Sequence, residues 1–479
     1  MSNLIKQTDV QLNNVYEPEE KEGSLARLGF KMADWAEKWF PDAYVFAVAA
    51  VVIIAVWAMF MGQSVYQISV NFGSHFWDLV PFTMQAAFVI ITGYILAASK
   101  PVNMLIMALA GIPKTPRHAV CFVAFFAMVS SLLSWGFSLI FSGLLIREVT
   151  RRVDGIDYRA MGAAGYLGLG SIWALGLSSA PALLMTTKGS LPPALYKISG
   201  VIPLSTTLFT WQNLVMIVVL IALSVCICYF STPSAKKAKT AEMAGVRYDK
   251  LTIEVPKREK PGEWLEYSPI LTLFISALGM VYLYHAFRTK GGFAALDYAT
   301  YDFMCLILGM LLHWTPKSFL IAAKKSIPAT GEVLLQFPIY AAIFGIMIAA
   351  GINDVIAKFF VEISNQHTFP ALVAIYSAIL GLFLPSGGGK WIVEAPYVLE
   401  AAKHLNVNMA WCVQIYNAAE ALPNFINPFW MLPMMGVLNI RARDLAGYSM
   451  LQLLFHAPIV IIMVWLLAYT LPYVPPVFQ

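Results

Sequence analysis

The sequence predicts an all-α polytopic membrane protein of inverted repeats, with two re-entrant helical hairpins and two discontinuous transmembrane helices. Three observations carry that prediction. Of 479 residues, 59% are hydrophobic and 12% charged, against about 25% charged in soluble domains; several apolar runs reach the roughly 20 residues that cross hydrocarbon. Two apolar stretches, 117–150 and 370–402, are too long for one crossing, and small polar residues interrupt each. Two more, 160–187 and 409–436, carry Gly/Ser/Pro or Asn/Pro clusters near their middle. A membrane helix tolerates such a break only where protein or a cavity satisfies the freed backbone.

Residues 1–42 are polar and charged, with no cleavable signal pattern. Within them SLARLGFKMADWAEKWF (24–40) reads as an interfacial helix with Trp35 and Trp39 at headgroup level. Crossings are expected at 43–62 and 75–98, with 101–112 too short to cross and lying along the surface. The stretch 117–150, interrupted by SLLSWGFS, is flanked by Lys114 and Arg117 on one side and Arg147, Arg151 and Arg152 on the other. Basic residues at both ends fit a hairpin that enters and leaves from one face. Residues 160–187 contain GLGSIWALGLSSAP, a broken crossing; a further crossing at 209–231 precedes a lysine-rich polar loop, 232–262.

The second half has crossings at 267–287, 301–315 and 331–351, then the stretch 370–402 with PSGGGK at its interruption, a second hairpin. Pro423, Asn424, Asn427 and Pro428 break 409–436, and the last crossing is 450–472. The chain thus divides into a cytoplasmic segment (1–42), a first transmembrane repeat (43–231), a cytoplasmic linker (232–262), a linking helix and loop (263–300), and a second, inverted repeat (301–479). With the N-terminus cytoplasmic, the loops placed inside carry 25 Lys and Arg and those outside carry 6; Lys390 completes the 32. This is the positive-inside bias, and it places the C-terminus in the periplasm.

The repeat has some residue-level support. At a shift of 252, Ser134 meets Ser386, Gly136 meets Gly388, Ile140 meets Ile392 and Glu148 meets Glu400. The order of features is stronger support, because each half runs two crossings, a hairpin, a broken helix and one more crossing. Inverted repeats with discontinuous helices mark secondary transporters, whose sites lie at the repeat interface near midplane.

Composition excludes other classes. The net charge of +5 resides in loops, so it does not point to nucleic acid. The five cysteines fall in apolar segments without zinc or disulfide spacing, and the seven histidines form no metal pattern. LPSGGGKWIVEAP (384–396) lacks the leading glycine and the Ser/Thr after lysine that a phosphate loop requires.

The candidate site follows from the interruptions. Gly387, Gly388 and Gly389 at a hairpin tip suit positive φ and close approach of a ligand. A helix starting just after them offers free N–H groups and its positive end to a carboxylate. The competing use is close packing of the turn. Lys390, Glu394 and Glu420 are charged at membrane depth, where charge is costly and usually functional. Lys390 and Glu394, four apart, can pair on one helix face, or Lys390 can face a substrate carboxylate. Glu420 can carry a proton, coordinate Na⁺ or bond a freed backbone N–H. Asn424 and Asn427 offer carbonyl oxygens to a cation and amide N–H groups to an anion. Ser134, Ser138, Ser171, Ser178 and Ser179 are the first-half counterparts, Ser178 and Ser179 assigned with Glu420 to the coupling cation; each serine can equally bond its own helix.

Three stretches, SWGFSLIFSGLLIREV, LPSGGGKWIVEAPYV and YNAAEALPNFINPFWMLP, together resemble the bacterial short-chain fatty acid transporter family, within the wider ion-transporter superfamily. The resemblance spans about 30–472. It implies uptake of small monocarboxylates such as butyrate or acetoacetate across a bacterial inner membrane, with Na⁺ or H⁺ coupling and no other cofactor. It also implies a homodimer whose hairpin and broken-helix units move like an elevator. The matching positions are Ser134 and Gly136 at the first tip, Ser386 to Gly389 at the second, and Asn424 and Asn427 in the break. The Lys390/Glu394 pair departs from the neutral residues the family often has there, which leaves a different acid open. The substrate carboxylate is expected on backbone N–H groups, Ser386 and the Asn side chains, its tail against Trp391 or Phe425. Rival readings are a dicarboxylate or other organic-anion symporter, an intramembrane hydrolase using Ser386 and Lys390 as a nucleophile pair, and a channel or sensor.

Overall fold

The computed structural model describes residue 39 and residues 43–236, 238–246, 255–291, 295–383, 387–440 and 442–478. The expected interfacial helix, apart from Trp39, and the tip residues 384–386, including Ser386, lie outside the described residues. The first half contains α1 (Ala43–Phe60), α2 (Val65–His75), α3 (Val80–Ala97), α4 (Lys100–Leu109), α5 (Pro116–Leu133), α6 (Trp135–Thr150), α7 (Tyr158–Leu167), α8 (Ala180–Leu184), α9 (Pro193–Ser199) and α10 (Trp211–Ser231). After α11 (Trp264–Tyr267) and α12 (Ile270–Lys290), the second half contains α13 (Tyr298–His313), α14 (Pro316–Ser326), α15 (Gly331–Ala349) and α16 (Ile352–Ile363). It closes with α17 (Phe369–Phe383), α18 (Gly387–His404), α19 (Met409–Asn424), α20 (Pro428–Leu438) and α21 (Ala442–Ala468).

Helix starts follow local chemistry. Ser64 and Gln67 cap α2 reciprocally: Ser64 Oγ accepts from Gln67 N at 3.2 Å, and Ser64 N donates to Gln67 Oε1 at 2.9 Å. This cap turns 65–75 into a separate short helix, so the crossing expected from 75 begins at Val80. Thr115 and Thr315 cap α5 and α14, each ahead of a proline whose missing N–H costs nothing in the first turn. At Gly351, φ +68° lets the chain bend 75° between α15 and α16.

Among the described residues, six helices are long and apolar enough to cross a membrane: Val80–Ala97, Pro116–Leu133, Tyr158–Leu184, Trp211–Ser231, Pro261–Lys290 and Asp444–Ala468. The bent pair α15–α16 makes a seventh. The sequence leads to nine crossings because it also counts α1, α13 and the α19–α20 pair, which are shorter, and assigns Pro116–Leu133 to the first hairpin instead. Burial separates centre from periphery: 94% of the Tyr158–Leu184 window is buried against 28% for α10, so the broken helix is central while α10 turns most of its apolar surface outward.

Three of the four expected interruptions fall on described residues. Ser134 is extended (φ −157°, ψ 122°) between α5 and α6, which pack along each other. After Leu167, α7 loosens into a π-turn at Gly168–Ile172 and a 3₁₀ turn at Trp173–Leu175, and Gly176 is extended before Ser179 caps α8. The α19 helix ends at Asn424, and α20 starts at Pro428.

Packing exchanges elements between the halves. The α1 and α2 helices pack on α15, while α13 and α14 pack on α3. Within each half the pattern recurs: α3 on α6 and α15 on α18, α5 on α7 and α17 on α19, α5 on α10 and α17 on α21. The polar linker is partly structural. Lys239 N donates to Asp157 Oδ2 at 3.1 Å and Lys239 O accepts from Tyr158 N at 2.9 Å, so the segment docks on the start of α7 and buries Ala238, Ala241 and Val246.

Candidate functional site

The two halves meet where their helices are interrupted. Tyr166 donates its hydroxyl to Asn424 O at 2.7 Å, and Asn424 Nδ2 reaches Leu169 O at 3.5 Å. A Cβ built on Gly170 would lie 3.0 Å from Phe425 Cδ1, so the π-turn of the first half lies against the break of the second. Trp173 packs over Gly387 so tightly that any side chain there would collide with its ring, and Phe82 does the same over Gly388.

Gly387–Gly389 form the first turn of α18, so the helix starts three residues earlier than the sequence suggested and these glycines keep helical backbone rather than positive φ. Their lack of side chains admits Trp173 and Phe82. The first turn of a helix leaves its N–H groups without intrahelical partners; this one is buried, and Gly389 within it is already engaged. The carbonyl of Gly387 accepts from Tyr416 Oη at 2.6 Å.

The serines of the first half are largely committed to backbone. Ser134 Oγ accepts from Phe137 N at 3.3 Å, and Ser178 Oγ accepts from Trp135 N at 3.0 Å, which ties the first tip to the first break. Ser138 Oγ donates to Ala127 O at 2.6 Å, Ser171 Oγ to Leu167 O at 2.7 Å, and Ser179 Oγ accepts from Ala182 N at 3.3 Å. Gly136 sits where α6 crosses α3: a Cβ there would lie 3.3 Å from Val89 O. Asn427 is buried beyond the end of α19, its N–H bonded to Pro423 O at 3.1 Å.

One turn into α18, Lys390, Glu394 and Glu420 form a triad with 0% exposure at each residue. Lys390 Nζ touches Glu420 Oε2, lies 3.5 Å from Glu394 Oε1 and donates to Ser377 O at 2.6 Å. It also sits 4.8 Å from the centroid of the Tyr416 ring. Ser377 Oγ donates to Glu394 Oε2 at 2.5 Å. The pairing of Lys390 with Glu394 is therefore present, and Glu420 completes it. A Cβ on Gly381 would lie 3.1 Å from both Lys390 Nζ and Glu420 Oε2, so α17 closes directly over the triad.

Several participants were not foreseen from sequence. Ser377 and Gly381 sit within an apolar run without a spacing signal. The stripe Gln414, Asn417, Glu420, Asn424 at helical spacing was a legible signal, and it places a buried amide chain beside the triad. Gln414 Nε2 donates to Asn213 Oδ1 at 2.7 Å, and Asn417 Nδ2 donates to Gln414 Oε1 at 2.7 Å. Among the described residues, Trp173 Nε1, Trp391 Nε1, Asn417 Oδ1 and Glu420 Oε1 are buried without a hydrogen-bond partner. Such groups are costly and call for an occupant or a function.

Residues 24–467 match the family described as short chain fatty acid transporter. Two similar proteins, from Escherichia coli K12 and Haemophilus influenzae Rd, are each named "Putative short-chain fatty acid transporter". They are 34% and 31% identical over 443 and 446 residues, which cover 91% of this chain and 99% of each relative. Among solved structures, the Alcanivorax borkumensis YdaH transporter aligns with a TM-score of 0.55 at 13% identity, covering 91% of this chain and all of that one. Neisseria gonorrhoeae MtrF, described as illuminating a class of antimetabolite efflux pumps, aligns at 0.50 and 10% identity over 94% of this chain and all of that one. Those two likenesses speak to fold alone. The family match and the full-length relatives exclude the hydrolase reading of Ser386 and Lys390: this chain is a multi-pass membrane transporter that belongs to the short-chain fatty acid transporter family.

Proposed function

We propose that the protein moves small monocarboxylates, such as butyrate or acetoacetate, across a bacterial inner membrane by cation-coupled secondary transport. The observation that carries this reading is the indole N–H of Trp173, buried without a partner among the described residues and packed over Gly387 where α18 begins. A partnerless indole N–H, on a ring whose edge packs against the start of α18, suits one carboxylate. The ring of Phe82 over Gly388, stacked on Phe337 at 5.3 Å, gives an alkyl tail an apolar wall. That single donor region and apolar surround favour one carboxylate over two.

The exchange of α1–α2 and α13–α14 between partners supports an inverted repeat, with the hairpins α5–α6 and α17–α18 re-entrant and the N-terminus cytoplasmic. In this reading the hairpin and broken-helix units move together against the outer helices.

Labelled butyrate uptake into proteoliposomes, corrected for empty vesicles because the neutral acid crosses lipid unaided, tests the reading. Trp173→Phe keeps the ring and removes the donor. Losing a hydrogen bond to a charged group costs about 1.5–3 kcal/mol, so butyrate affinity falls roughly 10- to 100-fold. Unchanged affinity in W173F removes the assigned carboxylate site, and wild-type uptake equal to empty vesicles removes the substrate class.

A further inference from the structure

We propose that Lys390, Glu394 and Glu420 form the coupling-ion site of this transporter, and that the ion is a proton held between the two carboxylates. The inference rests on the transport reading above and adds to it the identity and place of the ion.

The first argument is charge balance. Two carboxylates and one ammonium, each with 0% exposure, sum to −1 when all are ionised. With no exposure to solvent that excess is poorly screened, and an uncompensated buried charge is strongly unfavourable. One added positive charge makes the cluster neutral. The second argument concerns space. Lys390 Nζ already touches Glu420 and lies 3.5 Å from Glu394 Oε1, between the two acids. The Gly381 backbone closes over both Lys390 Nζ and Glu420 Oε2. A metal ion bridging the carboxylates would sit at contact distance from an ammonium, with strong repulsion in this medium. A proton needs no vacated volume.

The oxygens are not equivalent. Glu394 Oε2 accepts from the Ser377 hydroxyl, whereas Glu420 Oε1 has no hydrogen-bond partner among the described residues. The proton nevertheless belongs to the pair, since two coupled acids titrate together. The titratable groups facing the triad are Tyr416 on α19, with its ring under Lys390 Nζ, and the hydroxyl pair Tyr376 on α17 and Tyr397 on α18, 2.9 Å apart. Tyr340 on α15 lies beyond Tyr416.

Position ties the ion to the substrate. Lys390 and Glu394 are on α18, Glu420 on α19, and Ser377 and Gly381 on α17, so the triad joins all three helices of the second-half hairpin and break. Gly387, one turn before Lys390, is held by Tyr416 and covered by Trp173. Proton occupancy therefore acts on the same turn that would receive the carboxylate.

The test uses the full chain reconstituted in vesicles. Infrared spectroscopy reads protonated carboxyl groups directly. In an Asp302→Asn background, which removes the other buried carboxyl that lacks a hydrogen-bond partner among the described residues, a protonated-carboxyl band fades as pH is raised and is indifferent to Na⁺; Glu394→Gln or Glu420→Gln removes it. Calorimetry of butyrate binding in buffers of different ionisation heat then gives uptake of about one proton per butyrate over the range in which that band titrates. Both acids ionised at every pH where the wild type is folded, or a band displaced by Na⁺, overturns the proton site. Butyrate binding without proton uptake in that range overturns the coupling role. An intact infrared titration with no butyrate binding upholds the proton site and places the failure on the substrate reading instead.

Discussion

Removal of the Lys390 charge is the sharpest perturbation of the buried triad. In Lys390→Met the stem volume is nearly kept while the ammonium is lost. At an effective dielectric of about 20, the 3.5 Å separation from Glu394 Oε1 corresponds to about 5 kcal/mol of attraction when Glu394 is ionised, and the contact with Glu420 is comparable when that acid carries the charge instead. The substitution also frees the Ser377 carbonyl, which accepts from Lys390 at 2.6 Å. Protonation of both acids limits the damage, so the loss falls in the range of about 3–5 kcal/mol typical of breaking a buried pair from one side. Reversible unfolding in mixed micelles measures it. The triple variant K390M/E394Q/E420Q, with no charge left to compensate, regains most of that loss. A loss below about 1 kcal/mol in K390M, or losses that simply add in the triple variant, would mean that the three groups do not act as one electrostatic unit.

Other consequences can be checked in the same preparations. Gly388→Leu drives a side chain into Phe82; overpacking of this kind costs about 1–3 kcal/mol, transport is lost while the chain still inserts, and Phe82→Ala restores part of the activity. Asp302 is 7% exposed, and neither carboxylate oxygen has a hydrogen-bond partner among the described residues, so Asp302→Asn leaves stability within about 1 kcal/mol of wild type; a larger loss would reveal an ionised partner. Asp157 accepts from Arg159 N, Ala160 N and Lys239 N and pairs with the Arg159 guanidinium at 2.8 Å. Asp157→Ala therefore costs about 2 kcal/mol and opens the segment around Lys239 to protease in detergent micelles, which limited proteolysis detects.

The interruptions were legible because they violate a strong rule: hydrocarbon forbids unsatisfied backbone, so Ser134, the GLGSIW stretch and the Asn424–Pro428 run had to mark protein-lined ground. The short helices α2, α14 and α16 were not, since each is a surface element whose start depends on a local cap or a left-handed glycine rather than on hydropathy. The site was half legible. Charged residues at membrane depth announced Lys390, Glu394 and Glu420. Sequence left two uses of the tip glycines open, and the structure adds their packing under Trp173 and Phe82, partners that lie more than 200 residues away in the chain. Ser377 carries no signal, because one serine in an apolar helix usually bonds its own backbone, whereas this hydroxyl turns across to Glu394.

Related packing in the two halves does not bring equivalent chemistry. At the first tip, Ser134 and Ser178 satisfy Phe137 N and Trp135 N, while Ser131 and Ser138 are spent on Gly168 O and Ala127 O. That tip is internally paired and behaves as a frame. Around the second, two indole N–H donors, an amide oxygen and a carboxylate oxygen lack partners among the described residues, next to a charged triad. Leaving such a group unpaired costs about 1–3 kcal/mol, so each of the four gathered around one tip and one triad favours an occupant that pairs it. A carboxylate on the donors and a proton on the acids would offset that cost together. The loaded state then gains most when both are bound, which is the thermodynamic condition for coupled transport. On this reasoning the second tip would hold the cargo, and the first tip would brace it within the same proposed moving unit.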